Sequence, residues 1–257
     1  MNFSEQIIYA MFKPSKYKEM IKLKTSRFVG FTIVLMLVLG IVTFVVPAGA
    51  YITGFGGFEK LFANKMSRIE YKNGTLSIEN PFNISIEGMN IIIDTETETV
   101  PDEKMTKNGA YIALGSKNMR MAIVTGQDIL NYQVVSLDKF LPEGLNNEML
   151  TSFIPGIYVY LVLAFLVTCI GFFLKYGLMA LLFSIVINSM NKRMELGLSY
   201  GQVFAICFYG QTLAMILVNF NSAIGFLPAI LVSLAGIFIS VNMITLSVAL
   251  IHQGKQV

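Results

Sequence analysis

Long apolar runs alternate with short charged ones in this chain, and their lengths predict its elements. Phe28 to Val46 is 19 residues without a charge, close to the roughly 20 that cross a bilayer's hydrocarbon as a helix. From Ile154 to Met190 the chain is apolar for 37 residues with only Lys175 charged, too long for one ordinary span and short for two. A tight turn at Lys175-Tyr176-Gly177 would make two crossings and put Lys192 and Arg193 outside; a single long or kinked helix would put them in the cytosol. The tendency of basic residues to stay inside favours the single helix. Two further spans are expected, Gly201 to Val218 and Ile224 to Ile251, with Asn219-Phe220-Asn221-Ser222 between them. Ahead of the first span, Phe3, Ile7, Ile8, Met11 and Phe12 recur at helical spacing, followed by Lys13, Lys16 and Lys18. This suits a short helix lying on an anionic membrane face.

Segment 48–152 reads differently. After a candidate helix around Phe58 to Asn64 it shows short runs of period two bounded by turn residues. Asn73-Gly74 between Tyr71-Lys72 and Thr75-Leu76 is a strong hairpin signal. A second strand pair is expected at Tyr111 to Leu114 and Met119 to Val124 across Gly115-Ser116-Lys117-Asn118, with further strands at Met89 to Asp94 and Tyr132 to Val135. The expected fold is a polytopic α-helical membrane protein with an inserted extracytoplasmic, antiparallel β-rich (α+β) domain. Its parts are a basic N-terminus (1–27), an anchoring helix (28–47), the exported domain (48–152) and a helical block (153–257) with spans at about 154–190, 201–218 and 224–251.

Composition supports that division. The chain is 54% hydrophobic and 14% charged, far below the roughly one quarter charged of a soluble protein. Residues 1–27 hold an excess of Lys and Arg, whereas 48–152 holds more Asp and Glu than Lys and Arg. A basic flank before an apolar run stays in the cytosol, which places 48–152 across the membrane. It also removes a nucleic-acid reading of the basic isoelectric point. Ala48-Gly49-Ala50 resembles a signal-peptidase site, but the preceding apolar run is longer than a secretory one, so an uncleaved anchor is expected. Cys169 and Cys207 lie in apolar runs and read as small hydrophobes.

No catalytic or cofactor signature is present. The only histidine, His252, ends the last span, and there is no metal-ligand spacing, Walker-type loop or G-x-S-x-G elbow. No Asp or Glu lies inside a span, which disfavours a proton-coupled transporter. Gln202, Tyr209, Thr212 and Asn219 form a polar stripe, expected mainly to bond between helices and otherwise to line a ligand or partner groove. Ser233, Ser240 and Ser247, with Gly236, make a seam of small residues for close helix packing, within the chain or with a second subunit. Asp94, Glu96 and Glu98 would share one face of a strand, where they read as a solvated edge or, less readily, a hard-cation site. Asn73-Gly74-Thr75 and Asn83-Ile84-Ser85 match the glycosylation sequon, which matters only in a eukaryotic source.

Pro81-Phe82, Ile91-Ile92-Ile93-Asp94, Leu198-Ser199-Tyr200-Gly201-Gln202 and Tyr209-Gly210-Gln211-Thr212, in that order, resemble the bacterial domain-of-unknown-function 1189 family. That family is similar to the Yip-type membrane proteins, and some members, chiefly from Gram-positive bacteria, are labelled maltodextrin-utilisation proteins. The resemblance implies a plasma-membrane protein without implying a reaction. Leu213-Ala214 stands where the family leads one to expect a proline, leaving a kink in that helix open. The combined expectation is a multi-pass, non-enzymatic accessory protein without a cofactor. It would contact a membrane-protein partner or its own copies, with a sugar transporter as one candidate complex. An extracytoplasmic sensor and an oligomeric transporter or channel subunit are the alternatives. Residues marked for contact are Tyr200, Gln202, Tyr209, Gln211, Thr212, Asn219 and Asp94.

Overall fold

The computed structural model describes every residue of the chain except 63–65, 87–88, 127 and 255–257. It divides into two compact units, one of residues 1–48 and 161–257, the other of residues 49–160.

The first unit is helical. Helix α1 (Phe3–Phe12) begins with a capping box, Asn2 and Glu5 each bonding the other's backbone at 2.8 Å. Pro14 opens a 3₁₀ turn that leads into α2 (Tyr17–Met20). Helix α3 (Thr25–Gly40) runs through a π-helical turn, Ile41–Val45, into α4 (Val46–Phe55). The first expected span is therefore part of a longer helical run. Ile154–Arg193, α7, is one helix of 40 residues, so Lys175-Tyr176-Gly177 is not a turn. Asn191 donates to the Leu198 carbonyl at 2.9 Å and accepts from its N–H at 3.1 Å, fixing the connection to α8 (Tyr200–Gly210).

Beyond α8 the axis is interrupted at Gln211, whose N–H bonds the Phe208 carbonyl at 3.2 Å. It resumes as α9 (Thr212–Ile224). No proline is needed: the interruption follows Gly210, where Ile244 of α10 (Ala229–Gln253) packs so closely that a Cβ would collide with it. The expected boundaries shift accordingly. Asn219 to Ser222 are helical rather than a loop, the turn is Gly225 to Pro228, and the last helix starts at Ala229. Four helical runs are long and apolar enough to cross a membrane: Thr25–Lys60, Ile154–Arg193, Tyr200–Ile224 and Ala229–Gln253. The core of this unit gathers Tyr17, Met20, Phe31, Leu35, Ala180, Ile187, Ile206, Phe208, Tyr209, Met215 and Val248.

In the second unit, after α5 (Phe58–Lys60), β1 (Ile69–Lys72) and β2 (Thr75–Ile78) form the expected hairpin, with Asn73 and Gly74 both at positive φ as its turn requires. The end of the helix expected to Asn64 lies outside the described residues. Five more strands follow, β3 (Phe82–Ile86), β4 (Met89–Ile93), β5 (Gly109–Leu114), β6 (Asn118–Thr125) and β7 (Asp128–Ser136), in spatial order β3-β4-β5-β6-β7. The expected all-antiparallel sheet is corrected in one place: β4 pairs with β5 in parallel. The 94–108 connection is long enough to carry the chain back to the same end, as a parallel pair demands. Successive residues serve opposite faces. Ile93 packs with Tyr71, Leu76, Leu137 and Leu145, and Ile92 with Val100, Met105, Tyr111 and Ala122. The short helix α6 (Asn147–Ser152) is capped by Asn146.

Candidate functional site

The polar stripe separates into three environments. Gln202 closes a capping box at the start of α8, its Oε1 accepting from the Ser199 N–H at 3.0 Å and its N–H donating to Ser199 Oγ at 3.3 Å. Tyr200 beside it is exposed. Tyr209 is fully buried, its ring 5.1 Å from that of Phe31, 5.5 Å from Phe28 and 6.1 Å from Tyr17. Its hydroxyl and the buried Thr212 hydroxyl have no hydrogen-bond partner among the described residues. Tyr17 donates to the Ala10 carbonyl at 2.6 Å, and burial raises its pKa.

The third environment, around Asn219, adjoins a groove lined by part of the seam. The groove, of about 200 Å³, runs between α7, α9 and α10, with Gln211, one of the residues marked for contact, and Ser233, Gly236 and Ser240 of the seam along it. Gln211 is buried and donates to the Cys207 carbonyl at 3.0 Å. Asn219 donates to Tyr176 Oη at 2.6 Å and to the Met215 carbonyl at 2.7 Å, tying α9 to α7. Tyr176 also lines the groove, beside Lys175, whose ammonium lies 5.0 Å from the Tyr176 ring centroid. The remaining lining is apolar, so the groove suits a hydrocarbon chain or an apolar side chain flanked by a few hydroxyl and amide groups. Sequence reasoning missed Tyr176 because its neighbours read as a possible turn.

Part of the seam is buried within the chain, while Ser233 at its start is exposed. Gly236 faces Val218 and Ala214 of α9, and Ser240 and Ser247 are buried, bonding the Gly236 and Ile244 carbonyls at 2.8 and 2.7 Å.

The acidic triplet is in the other unit and is not on a strand. Asp94 is buried just beyond β4, and 95–99 form a turn and bend. Lys104 bridges Asp94 and Glu96, while Lys117 pairs with Glu98. Hydrogen bonds that Lys104 donates to Asp94 and then to Glu96 hold its pKa above the ordinary value. Backbone bonds from Ser116 to Thr97 (2.8 Å) and from Lys117 and Asn118 to Glu98 (3.2 and 3.0 Å) strap the segment to the β5–β6 turn. This is a structural clasp. Among the described residues no cluster of His, Cys, Asp or Glu has a metal-binding arrangement. A surface depression of about 500 Å³ near Arg68, Glu70 and Glu148 also touches Asn147, whose side chain is already spent on the Ile69 N–H and the Phe62 and Ser67 carbonyls.

Four long apolar helical runs and an attached mixed sheet define the class: a helical protein of membrane-spanning composition with an α+β unit. Within that class the chain belongs to the DUF1189 family, proteins of unknown function, whose model matches residues 4–250. No curated protein and no solved structure gives a significant match.

Proposed function

We propose that this chain is a non-enzymatic accessory protein of the bacterial plasma membrane that binds a larger membrane complex. In this reading its basic N-terminus is cytosolic and 48–152 is extracytoplasmic. One observation carries it: α7 is apolar along nearly all of its 40 residues, and large side chains from Tyr158 to Val186 are exposed, Val167 by 68% and Leu174 by 63%. A helix of that length measures about 60 Å, twice the roughly 30 Å of hydrocarbon that lipid can cover, even before tilt. The surplus apolar face is what a protein partner would bury. Because members of the resembled family carry maltodextrin-utilisation labels, a sugar-uptake transporter is the first complex to test.

The alternatives lack an observation of their own. The carboxylates that a receptor would offer a ligand are already bonded to Lys104 and Lys117, and Gly236 of the seam that would join channel subunits packs against α9. Photoreactive side chains placed singly at Tyr160 and Val186, 71% and 62% exposed and too far apart for one hydrocarbon layer to cover both, should cross-link at one of the two sites in living cells to one protein that also copurifies stoichiometrically in mild detergent. Lipid adducts alone, with a clean monomer after extraction, would defeat the proposal.

A further inference from the structure

Lys175 is the only charged residue between Ile154 and Met190, and it lines the groove between α7, α9 and α10. An ammonium in an apolar span is costly and normally has an anionic partner. Lys175 has only the Tyr176 ring, 5.0 Å away at its centroid, and no carboxylate among the described residues pairs with it.

Two hydroxyls of the groove are also unspent. The Asn219 amide nitrogen donates both to the Met215 carbonyl at 2.7 Å and to Tyr176 Oη at 2.6 Å. Tyr176 is thus an acceptor there, and its own proton is left without a partner among the described residues. Ser240 and Ser247 bond carbonyls of α10, whereas Ser233 bonds nothing among the described residues.

Packing brings these groups to one end. Gly236 faces Ala214 and Val218 of α9. Ser233 lies three residues earlier on α10, about 4.5 Å nearer the α9–α10 turn, which is the level of Asn219 and hence of Tyr176. Lys175 adjoins Tyr176, and its side chain leans toward the Ile154 end of α7, as side chains on a helix do. In the other direction the groove becomes apolar. Met179 and Phe183 follow one and two turns along α7, with Ala214 and Ile237 on the other walls. Gln211 and Ser240 already bond carbonyls of their own helices.

We propose that the groove binds an anionic phospholipid, one acyl chain lying along Met179 and Phe183 and the phosphate meeting Lys175, Tyr176 and Ser233. The lining holds no Asp or Glu, so the ammonium of a zwitterionic headgroup would find nothing to receive it. An acidic side chain on a partner helix could also meet Lys175, but it would first have to be carried into hydrocarbon. An anionic lipid is already there, and the long lysine stem lets the charge reach toward its headgroup. The inference rests on the membrane reading above.

The chain has no tryptophan, so a single one reports its own surroundings. Full-length Ile237→Trp, on the wall of the groove, is reconstituted in phosphatidylcholine vesicles with a small share of phosphatidylglycerol, each lipid in turn brominated on its acyl chains. Per mole, the brominated phosphatidylglycerol should quench about fivefold more than the brominated phosphatidylcholine, the factor that one lysine supplies at an anionic lipid surface. Lys175→Met should bring the two lipids to parity, Lys175→Arg should keep the excess, and Lys192→Met should leave it unchanged. Ile185→Trp, exposed on α7 away from the groove, is the reference and should be quenched equally by both.

Equal quenching of Ile237→Trp by the two lipids, or an excess that survives Lys175→Met, overturns the lipid site and leaves the membrane reading standing. Protection of Ile237→Trp from both lipids while Ile185→Trp is quenched does the same and gives the groove to protein. Protection of both tryptophans removes the membrane reading as well. Should Ile237→Trp fail to fold, Met179→Trp on the α7 wall carries the same comparison.

Discussion

Asn219 is the residue through which the polar stripe does most for the helical unit. Its amide joins α9 to Tyr176 of α7 and also bonds one turn back to Met215. Replacing Asn219 by Leu should cost about 0.6–1.7 kcal/mol, the range for inter-helix bonds in a membrane. A double-mutant cycle with Tyr176→Phe, followed by unfolding in mixed micelles, should return a coupling energy of the same size, and zero coupling would mean the bond contributes nothing. Gly210 makes the opposite kind of demand, for the absence of a side chain. Alanine is the better helix former by about 1 kcal/mol, yet Gly210→Ala should destabilise by about 1–3 kcal/mol because the new methyl meets Ile244. Adding Ile244→Ala should recover part of that loss in the same assay. The stripe was legible because polar side chains in an apolar run stand out. Its destinations were not: a glutamine can close a capping box or bond a carbonyl within its own helix, and only packing decides, as Gln202 and Gln211 show.

Among the elements, those with local signals were legible and those that depend on distant chain were not. Asn73-Gly74 carries its turn geometry in its own residues, and the β5–β6 pair followed from adjacent alternating runs. Strand β3 was missed because Phe82-Asn83-Ile84-Ser85-Ile86 sits directly behind Pro81 and gains its partner only by antiparallel register with β4. The parallel β4–β5 pairing depends on a crossover whose acidic residues read as a strand face and fold instead into the clasp around Lys104. That clasp has a pH signature. The Lys104 pKa is raised in the folded state above 10.5, so its stabilisation is present below that value and is lost as pH rises through the folded pKa. Near-ultraviolet dichroism of the melting sheet unit should therefore show an alkaline loss of stability beginning above pH 10.5, and Lys104→Met should flatten it. An unchanged alkaline limb in the variant would assign the loss to other groups.

For the whole molecule, charge distribution is the feature that most constrains orientation, and it is readable without any structure. Lys13, Lys16, Lys18, Lys22 and Lys24 cluster ahead of α3 with Arg27 in its first turn, and Lys192 and Arg193 end α7. α7 is a single helix, not two, and in the proposed orientation it would put the basic pair on the same side as the N-terminus, the arrangement that the inside preference of Lys and Arg favours. That step was open in the sequence, where 37 apolar residues fit one crossing or two almost equally well. The consequence can be measured by protease. Trypsin added to intact cells stripped of their wall should cut at exposed lysines of the sheet unit, Lys72 at the Asn73-Gly74 turn and Lys139 beyond β7, and should spare Lys192 and Arg193 until the cells are lysed. Early cleavage after Lys192 or Arg193, with the sheet unit protected, would invert the molecule and take the extracytoplasmic assignment with it.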